Sequence, residues 1–205
     1  MPTWLTIGNY ETQGLIQNIY NVMYKKISMT KFNKIVLLLV LLIAVSFGTF
    51  QITNLYFHKQ FQIFYSLDKK QNDQEIIKLI NSANKYIYFA VYTFTKDNIA
   101  DALIAAKQRG ILVWGITDAK EADTPYEKSI IQRLRQAGIT IETQKHIDGI
   151  MHIKAIVTDK GYAIGSYNWT ESATVANDEI LEIGTDKYLH GRYFEILKKV
   201  LITNQ

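Results

Sequence analysis

Residues 86–92 read YIYFAVY, seven uncharged side chains with apolar groups at both odd and even positions. Alternate residues of a strand face opposite sides, so a run apolar on both parities predicts a central strand covered from above and below. The residues after it predict a helix that packs back on that strand. Asp97 stands as its cap, Ile99, Ala102, Leu103 and Ala106 recur at i, i+3, i+4 and i+7, and Gly110 stops it directly behind Arg109. ILVWGIT at 111–117 is a second doubly apolar strand, ending at Asp118. Thr124 and Pro125 then supply a cap and a first-turn proline for a helix through Ile130, Ile131, Leu134 and Ala137, closed by Gly138.

The flanks extend the same alternation. FQIFYS at 61–66 is aromatic and β-branched enough for a short strand, and Asp73 is placed to cap a helix carrying Ile76, Ile77, Ile80 and Ala83. Residues 139–142, 153–158, 162–164 and 179–184 supply further strands, and 188–201 a closing helix. The expected fold is therefore α/β, a layered domain with a largely buried mixed sheet flanked by helices. Ligands of such folds sit outside the carboxyl ends of strands, which puts residues 93–95 and 118–123 near any site. No internal repeat, low-complexity tract or second folded domain interrupts the pattern.

Composition agrees with one folded domain. The chain has 205 residues, 48% apolar and 20% charged, which excludes a disordered or collagen-like polymer. Its formal charge of +4 comes from 23 Lys and Arg against 19 Asp and Glu, but unevenly. Residues 1–54 hold Lys25, Lys26, Lys31 and Lys34 against Glu11 alone, so the rest of the chain is close to neutral and the basic pI does not by itself indicate a nucleic-acid surface. Cysteine is absent, which excludes disulfides, thiolate metal sites and a cysteine nucleophile.

Residues 35–57 carry no charged side chain and open with IVLLLVLLIAVSFGTF. As a helix they would reach about 34 Å, enough for a hydrocarbon core of about 30 Å. A buried core helix is the alternative, yet such a helix is seldom apolar all round in a chain of this size. Four lysines precede the run and Lys59 follows it, so the positive-inside bias leaves the N-terminus cytoplasmic and the body extracytoplasmic. The expected organisation is a basic tail at 1–34, a membrane anchor or signal anchor at 35–57 and one folded α/β domain at 58–205. Met29 begins a short basic stretch of its own, so residues 1–28 read as an upstream extension. An uncleaved anchor is favoured because Ala44 and Ser46 make a weak cleavage site; cleavage would give a secreted protein.

Chemistry concentrates in IMHIKAIVTD at 150–159. On a strand His152 and Lys154 would project side by side. Burying an ammonium beside an imidazole among Ile150, Ile153, Ala155, Ile156 and Val157 calls for an anion, and a phosphate diester would serve. Gly165, Ser166 and Asn168 follow and could add hydroxyl, amide and backbone N–H donors to the same anion, especially with a helix beginning near Trp169. The alternatives are a solvated His/Lys pair, a metal site combining His152 with His146, Asp148 or Asp159, which Lys154 opposes electrostatically, and a Ser166 nucleophile, which lacks the G-x-S-x-G elbow. His58, His146 and His190 read as structural or exposed.

The run from His152 through Lys154 to Asp159, followed by Gly165, Ser166, Tyr167 and Asn168, resembles the HKD signature of the phospholipase D superfamily. FQIFYS, AVYTFT at 90–95, the stretch 102–110 and IMHIK are similar to segments of its small single-motif members, the bacterial Nuc-type endonucleases and the mitochondrial phospholipase D-like (Zucchini) proteins. Five residues rather than six separate Asp159 from Gly165, which implies a shorter hairpin. The resemblance implies metal-free, cofactor-free cleavage of a phosphodiester in two steps. One histidine attacks phosphorus to give a phosphohistidine, and a second protonates the leaving oxygen and then activates water. With a single H-x-K motif the second His152 comes from a partner chain, so a two-fold homodimer is expected. Lys154 and Asn168 would bind the non-bridging oxygens, Glu179 would orient the histidine, and Asp159 would support the site through hydrogen bonds.

Three substrate readings follow. A membrane-anchored nuclease acting on DNA or RNA is favoured by the single motif, a phospholipase D acting on phosphatidyl lipids by the anchor, and an inactive nucleic-acid-binding protein is disfavoured by the intact motif. Lys69, Lys70, Lys96, Lys120, Arg133 and Arg135 are the cations that a nucleic-acid groove would have to gather. In a mitochondrial-type relative the domain would face the cytosol instead.

Overall fold

Each of residues 86–91 lies on the side its parity dictates: Ile87, Phe89 and Val91 join a core on one face of a sheet, and Tyr88 and Ala90 join a core on the other. The structure is a computed structural model and describes residues 8–26, 31–58, 60–145 and 148–205. Two compact units divide at Leu55 and Tyr56. In the first, α1 spans Gly8–Lys26 and α2 spans Lys31–His58. Lys31–Leu55 within α2 is long and apolar enough to cross a membrane, and the side chains of its central leucines and valines are exposed.

The second unit is built on a seven-stranded sheet with strands β1 (Phe61–Tyr65), β2 (Tyr86–Val91), β3 (Leu112–Thr117), β4 (Thr140–Thr143), β5 (Lys154–Thr158), β6 (Tyr162–Gly165) and β7 (Ile180–Gly184). Their order across the sheet is β1-β7-β6-β5-β2-β3-β4. β2, β3 and β4 run parallel, and β5, β6, β7 and β1 join antiparallel, so the sheet is mixed as expected. Helices α4 (Asn72–Ser82), α5 (Asp97–Gln108) and α7 (Pro125–Gln136) bury their apolar sides on one face, and α9 (Lys187–Thr203) packs Phe194, Leu197 and Leu201 on the other. Short helices α3 (Ser66–Lys69), α6 (Ala119–Ala122) and α8 (Glu171–Val175) fill connections that carry no apolar periodicity.

Gly110 and Gly138 end α5 and α7 with φ of +86° and +77°, left-handed conformations that glycine adopts without a Cβ penalty. The two aspartate caps fail. α4 begins one residue before Asp73 and α5 begins at Asp97 itself, with Gln71 and Lys96 at the cap positions and neither giving a side-chain cap bond. Asp73 is buried and accepts from Asn98 Nδ2 at 2.6 Å, with Lys96 Nζ at 3.1 Å, while Asp97 pairs with Arg133. Charge-assisted bonds between helices outweigh a cap worth about 1 kcal/mol.

Candidate active site

β5 is the central antiparallel strand, buried at all five positions, and its first residue is Lys154. The strand is one residue shorter than the sequence predicts; His152 lies two residues before the ladder and stays exposed, while Lys154 is only 7% exposed. The two side chains nevertheless meet on one ring. The His152 imidazole lies 4.7 Å from the Tyr92 ring centroid at 55°, and Lys154 Nζ stands 4.9 Å from that same centroid. Lys154 Nζ also donates to the His152 carbonyl at 3.1 Å. Burial pushes the Lys154 ammonium down from its ordinary pKa, and the Glu179 charge pulls the other way.

Three chain segments converge on this end of the sheet. Val91, the last residue of β2, pairs with Lys154 on one side and with Thr117 on the other, which aligns the ends of β2 and β3 with the start of β5. Asp118 directly follows β3 and is 1% exposed. One carboxylate oxygen caps α6 through Lys120 N at 2.9 Å and Glu121 N at 3.3 Å, and the other accepts from Met151 N at 3.0 Å, one residue before His152. The sequence marks residues 118–123 as near the site by position, but nothing in it pairs Asp118 with Met151.

Asn168 arrives through a second seam. Trp169 N donates to Thr93 O at 3.1 Å, and Thr95 N and Lys96 N donate to Trp169 O at 2.8 and 3.0 Å. Within that seam Asn168 Oδ1 accepts from Thr93 N at 3.3 Å, which brings the carboxamide beside the residue following Tyr92. Trp169 itself is buried between Phe89 and Phe94, so the anchor of this loop is aromatic packing. The expected helix near Trp169 begins at Glu171, with Thr170 as its cap.

Glu179 is 8% exposed and accepts a short hydrogen bond from Ser166 Oγ; it has no bond to His152. Its backbone is clamped by Ser66: Ser66 N donates to Glu179 O, and Glu179 N donates to Ser66 Oγ, each at 3.0 Å. Ser166 Oγ also accepts from Ile180 N at 3.1 Å, so this hydroxyl is committed to the protein rather than free to bind an anion. Gly165 lies so close to the Ile180 carbonyl that a Cβ would collide with it, which gives this glycine a packing role between β6 and β7.

Asp159 stands apart from this group. It lies beyond the far end of β5, five residues from Lys154, and accepts from Asn84 N at 2.8 Å and Lys85 N at 3.0 Å. Burial works against its charge, but those N–H donors and Lys160 hold its carboxyl below the ordinary range. It fixes the entry to β2. His190 Nε2 is 2.6 Å from Thr158 O, a structural contact. His146 and the side chain of His58 lie outside the described residues. Among the described residues no group of three or more His, Asp and Glu side chains is arranged to hold a metal ion.

Two further carboxylates border the site, Glu121 within the stretch 118–123 and Glu127 beyond it, where no sequence signal marks it. Glu121 Oε2 accepts from Thr93 Oγ1 at 3.1 Å. Glu127 is fully buried and accepts from Phe94 N at 2.9 Å and, by a short bond, from Thr117 Oγ1. Burial pushes its carboxyl up to about 7 despite those donors. The six cations that a nucleic-acid groove would gather are partly spent elsewhere: Lys96 pairs with Asp73 and Glu171, and Arg133 with Asp97 and Asp101.

The mixed sheet between helical layers carries an imidazole and a buried ammonium at one strand end, and the comparisons with known proteins show the fold's family. Residues 76–201 match the family described as cardiolipin synthase, PLD-like domain, and the chain belongs to this phospholipase D-like family of phosphodiesterases. It is 33% identical over 110 residues to the mitochondrial cardiolipin hydrolase of Chlamydomonas reinhardtii, covering 54% of this chain and 48% of that protein. It is 32% identical over 121 residues to a phospholipase D of Rickettsia prowazekii, covering 58% of each. The chain thus matches about half the length of these curated relatives. Among solved structures, the phospholipase D family member Nuc from Salmonella typhimurium superposes with a TM-score of 0.65 and 26% identity, covering 71% of this chain and 95% of that one. NucT from Helicobacter pylori gives 0.64 and 26%, covering 69% and 95%.

Proposed function

We propose that this chain is a membrane-anchored endonuclease that cleaves the DNA or RNA backbone without a metal, through a phosphohistidine on His152, in a site completed by the His152 of a second copy. The observation that carries the reading is the convergence of His152 and Lys154 on the Tyr92 ring at the open end of the sheet. A nucleophile and a cation held there can meet one phosphate, the imidazole at phosphorus and the ammonium at a non-bridging oxygen whose charge grows in the transition state. Asn168 lies in the same corner and would add an amide donor, and Glu179, held by Ser166, would orient the histidine. Asp159 contributes through the β2 entry it braces. The nucleic-acid substrate is supported by the match to Nuc, which extends over 95% of that chain.

The anchor reading is supported by the apolar span Lys31–Leu55 within α2; on this reading 1–34 is a basic tail, 35–57 the anchor and 58–205 the catalytic domain. The lysines before the span favour an extracytoplasmic domain.

Phospholipid hydrolysis is the second reading. The names of the curated relatives favour it, and so does the pairing of Lys96 and Arg133 with carboxylates, which leaves fewer free cations for a polyanion.

The test offers the full chain in detergent single-stranded DNA, RNA, and phosphatidylcholine or cardiolipin vesicles, with and without EDTA. Nucleic-acid cleavage that survives EDTA and is lost in His152→Ala supports the proposal. Rapid lipid hydrolysis with intact nucleic acid replaces it with the second reading, and loss of all activity in EDTA overturns the metal-free route.

A further inference from the structure

Tyr92 follows the last residue of β2, and its backbone is held without help from its side chain. Val91 before it lies in two strand ladders, and the Tyr92 carbonyl accepts from Thr117 Oγ1 at 3.2 Å. The ring is only half-buried and belongs to neither apolar core. Its face meets the His152 imidazole at 4.7 Å and the Lys154 ammonium at 4.9 Å from one centroid, and its hydroxyl hydrogen-bonds Glu121.

We infer that Tyr92 is a positioning residue, whose ring face fixes the imidazole of His152 and the ammonium of Lys154 relative to each other so that both reach one phosphate. An aromatic face is electron-rich and attracts an ammonium, and imidazole packs on it in a tilted arrangement. His152 lies outside the strand and would otherwise be free to rotate, whereas Lys154 is fixed in the ladder. The ring therefore carries the order of β5 out to a side chain that β5 does not itself hold. The hydroxyl steadies the far end of the ring through Glu121, while the contacts to His152 and Lys154 are made by the ring itself. This inference rests on the phosphodiesterase reading for its kinetic part and on geometry alone for its spectroscopic part.

The test uses the full chain in detergent with bis(p-nitrophenyl) phosphate as the soluble diester. Tyr92→Phe keeps the ring and should retain kcat within about threefold, whereas Tyr92→Leu should lower kcat about 10- to 100-fold with a much smaller change in KM, as expected when a reacting group is misplaced. Proton NMR of the protein labelled at the histidine Cε1 positions, with His152 identified in His152→Asn, reads the contact directly. In the unmodified chain and in Tyr92→Phe the His152 proton should be ring-current shifted and show an NOE to residue 92; in Tyr92→Leu the shift should vanish while the His190 signal stays. Lack of the NOE in the unmodified chain overturns the inference whether or not Tyr92→Leu folds, and so does Tyr92→Phe as damaging as Tyr92→Leu. A positive NOE in a chain with no diesterase activity would leave the contact standing and overturn the phosphodiesterase reading instead.

Discussion

The carboxylate of Asp118 accepts the backbone N–H of Met151 at 3.0 Å, and the residue after Met151 is His152. A side chain at the end of β3 thus sets the path of the chain that delivers the imidazole to Tyr92, from 33 residues away in sequence. Its second oxygen caps α6, so one buried carboxylate serves two segments.

Asp118→Ala removes that acceptor and leaves the N–H of Met151 buried and unpaired. The expected cost is about 2–3 kcal/mol in stability, read by denaturant unfolding, with diesterase activity lowered at least about tenfold. Asp118→Asn keeps an acceptor oxygen and should lie between the two.

Glu127 makes stability depend on pH. Its folded pKa of about 7 is raised above the ordinary 4.5. The folded state therefore binds the proton more tightly, so this contribution is fully present below pH 4.5 and is lost as pH rises through 7. The loss is on the order of 3 kcal/mol. Protonated Glu127 can donate to Thr117 Oγ1, which in turn reaches Tyr92 O, and can still accept from Phe94 N. Glu127→Gln reproduces that pattern at every pH, so denaturation from pH 4.5 to 8 should show this slope in the unmodified protein and its absence in the variant.

Gly165→Ala places a methyl against the Ile180 carbonyl. The backbones of β6 and β7 must separate there, at an expected cost of about 1–3 kcal/mol. Because Ser166 and Glu179 bridge the same two strands, activity should fall further than stability alone accounts for, as kinetics below the melting transition would reveal.

Nucleic-acid binding should depend only shallowly on salt. Lys96 and Arg133 are already paired, which leaves four of the six candidate cations, Lys69, Lys70, Lys120 and Arg135, to displace counterions. A plot of log K against log salt for single-stranded DNA, measured with His152→Ala to prevent cleavage, should have a slope of magnitude about 2–3 rather than the 6–9 of an extended basic groove.

The sheet and its helices were legible because burial imposes period: the doubly apolar 86–92 could hardly lie anywhere but in the centre, and Gly110 and Gly138 mark their stops. His152 and Lys154 stood out because a cation in an apolar strand requires a reason. What the sequence could not convey was partnership at a distance. Asp73 and Asp97 have the chemistry of caps, yet tertiary partners claim them. Asp118 with Met151, Ser66 with Glu179 and Tyr92 with His152 are pairs set by strand register, and register does not follow from the local pattern of either partner. Asp159, read with the motif, turns out to act at the opposite end of its strand.

Strand β1 has one ladder partner, β7, and pairs Phe61 with Gly184 through Tyr65 with Ile180. A nascent chain releases β1 early and must wait about 120 residues for that partner, roughly 6–24 s at ordinary rates of synthesis. Throughout that interval Phe61, Ile63 and Tyr65 form an apolar strand with neither edge satisfied. Closure of this edge of the sheet thus waits on the last-made strand, and a ribosome stalled before residue 180 would leave β1 open to pairing with another chain.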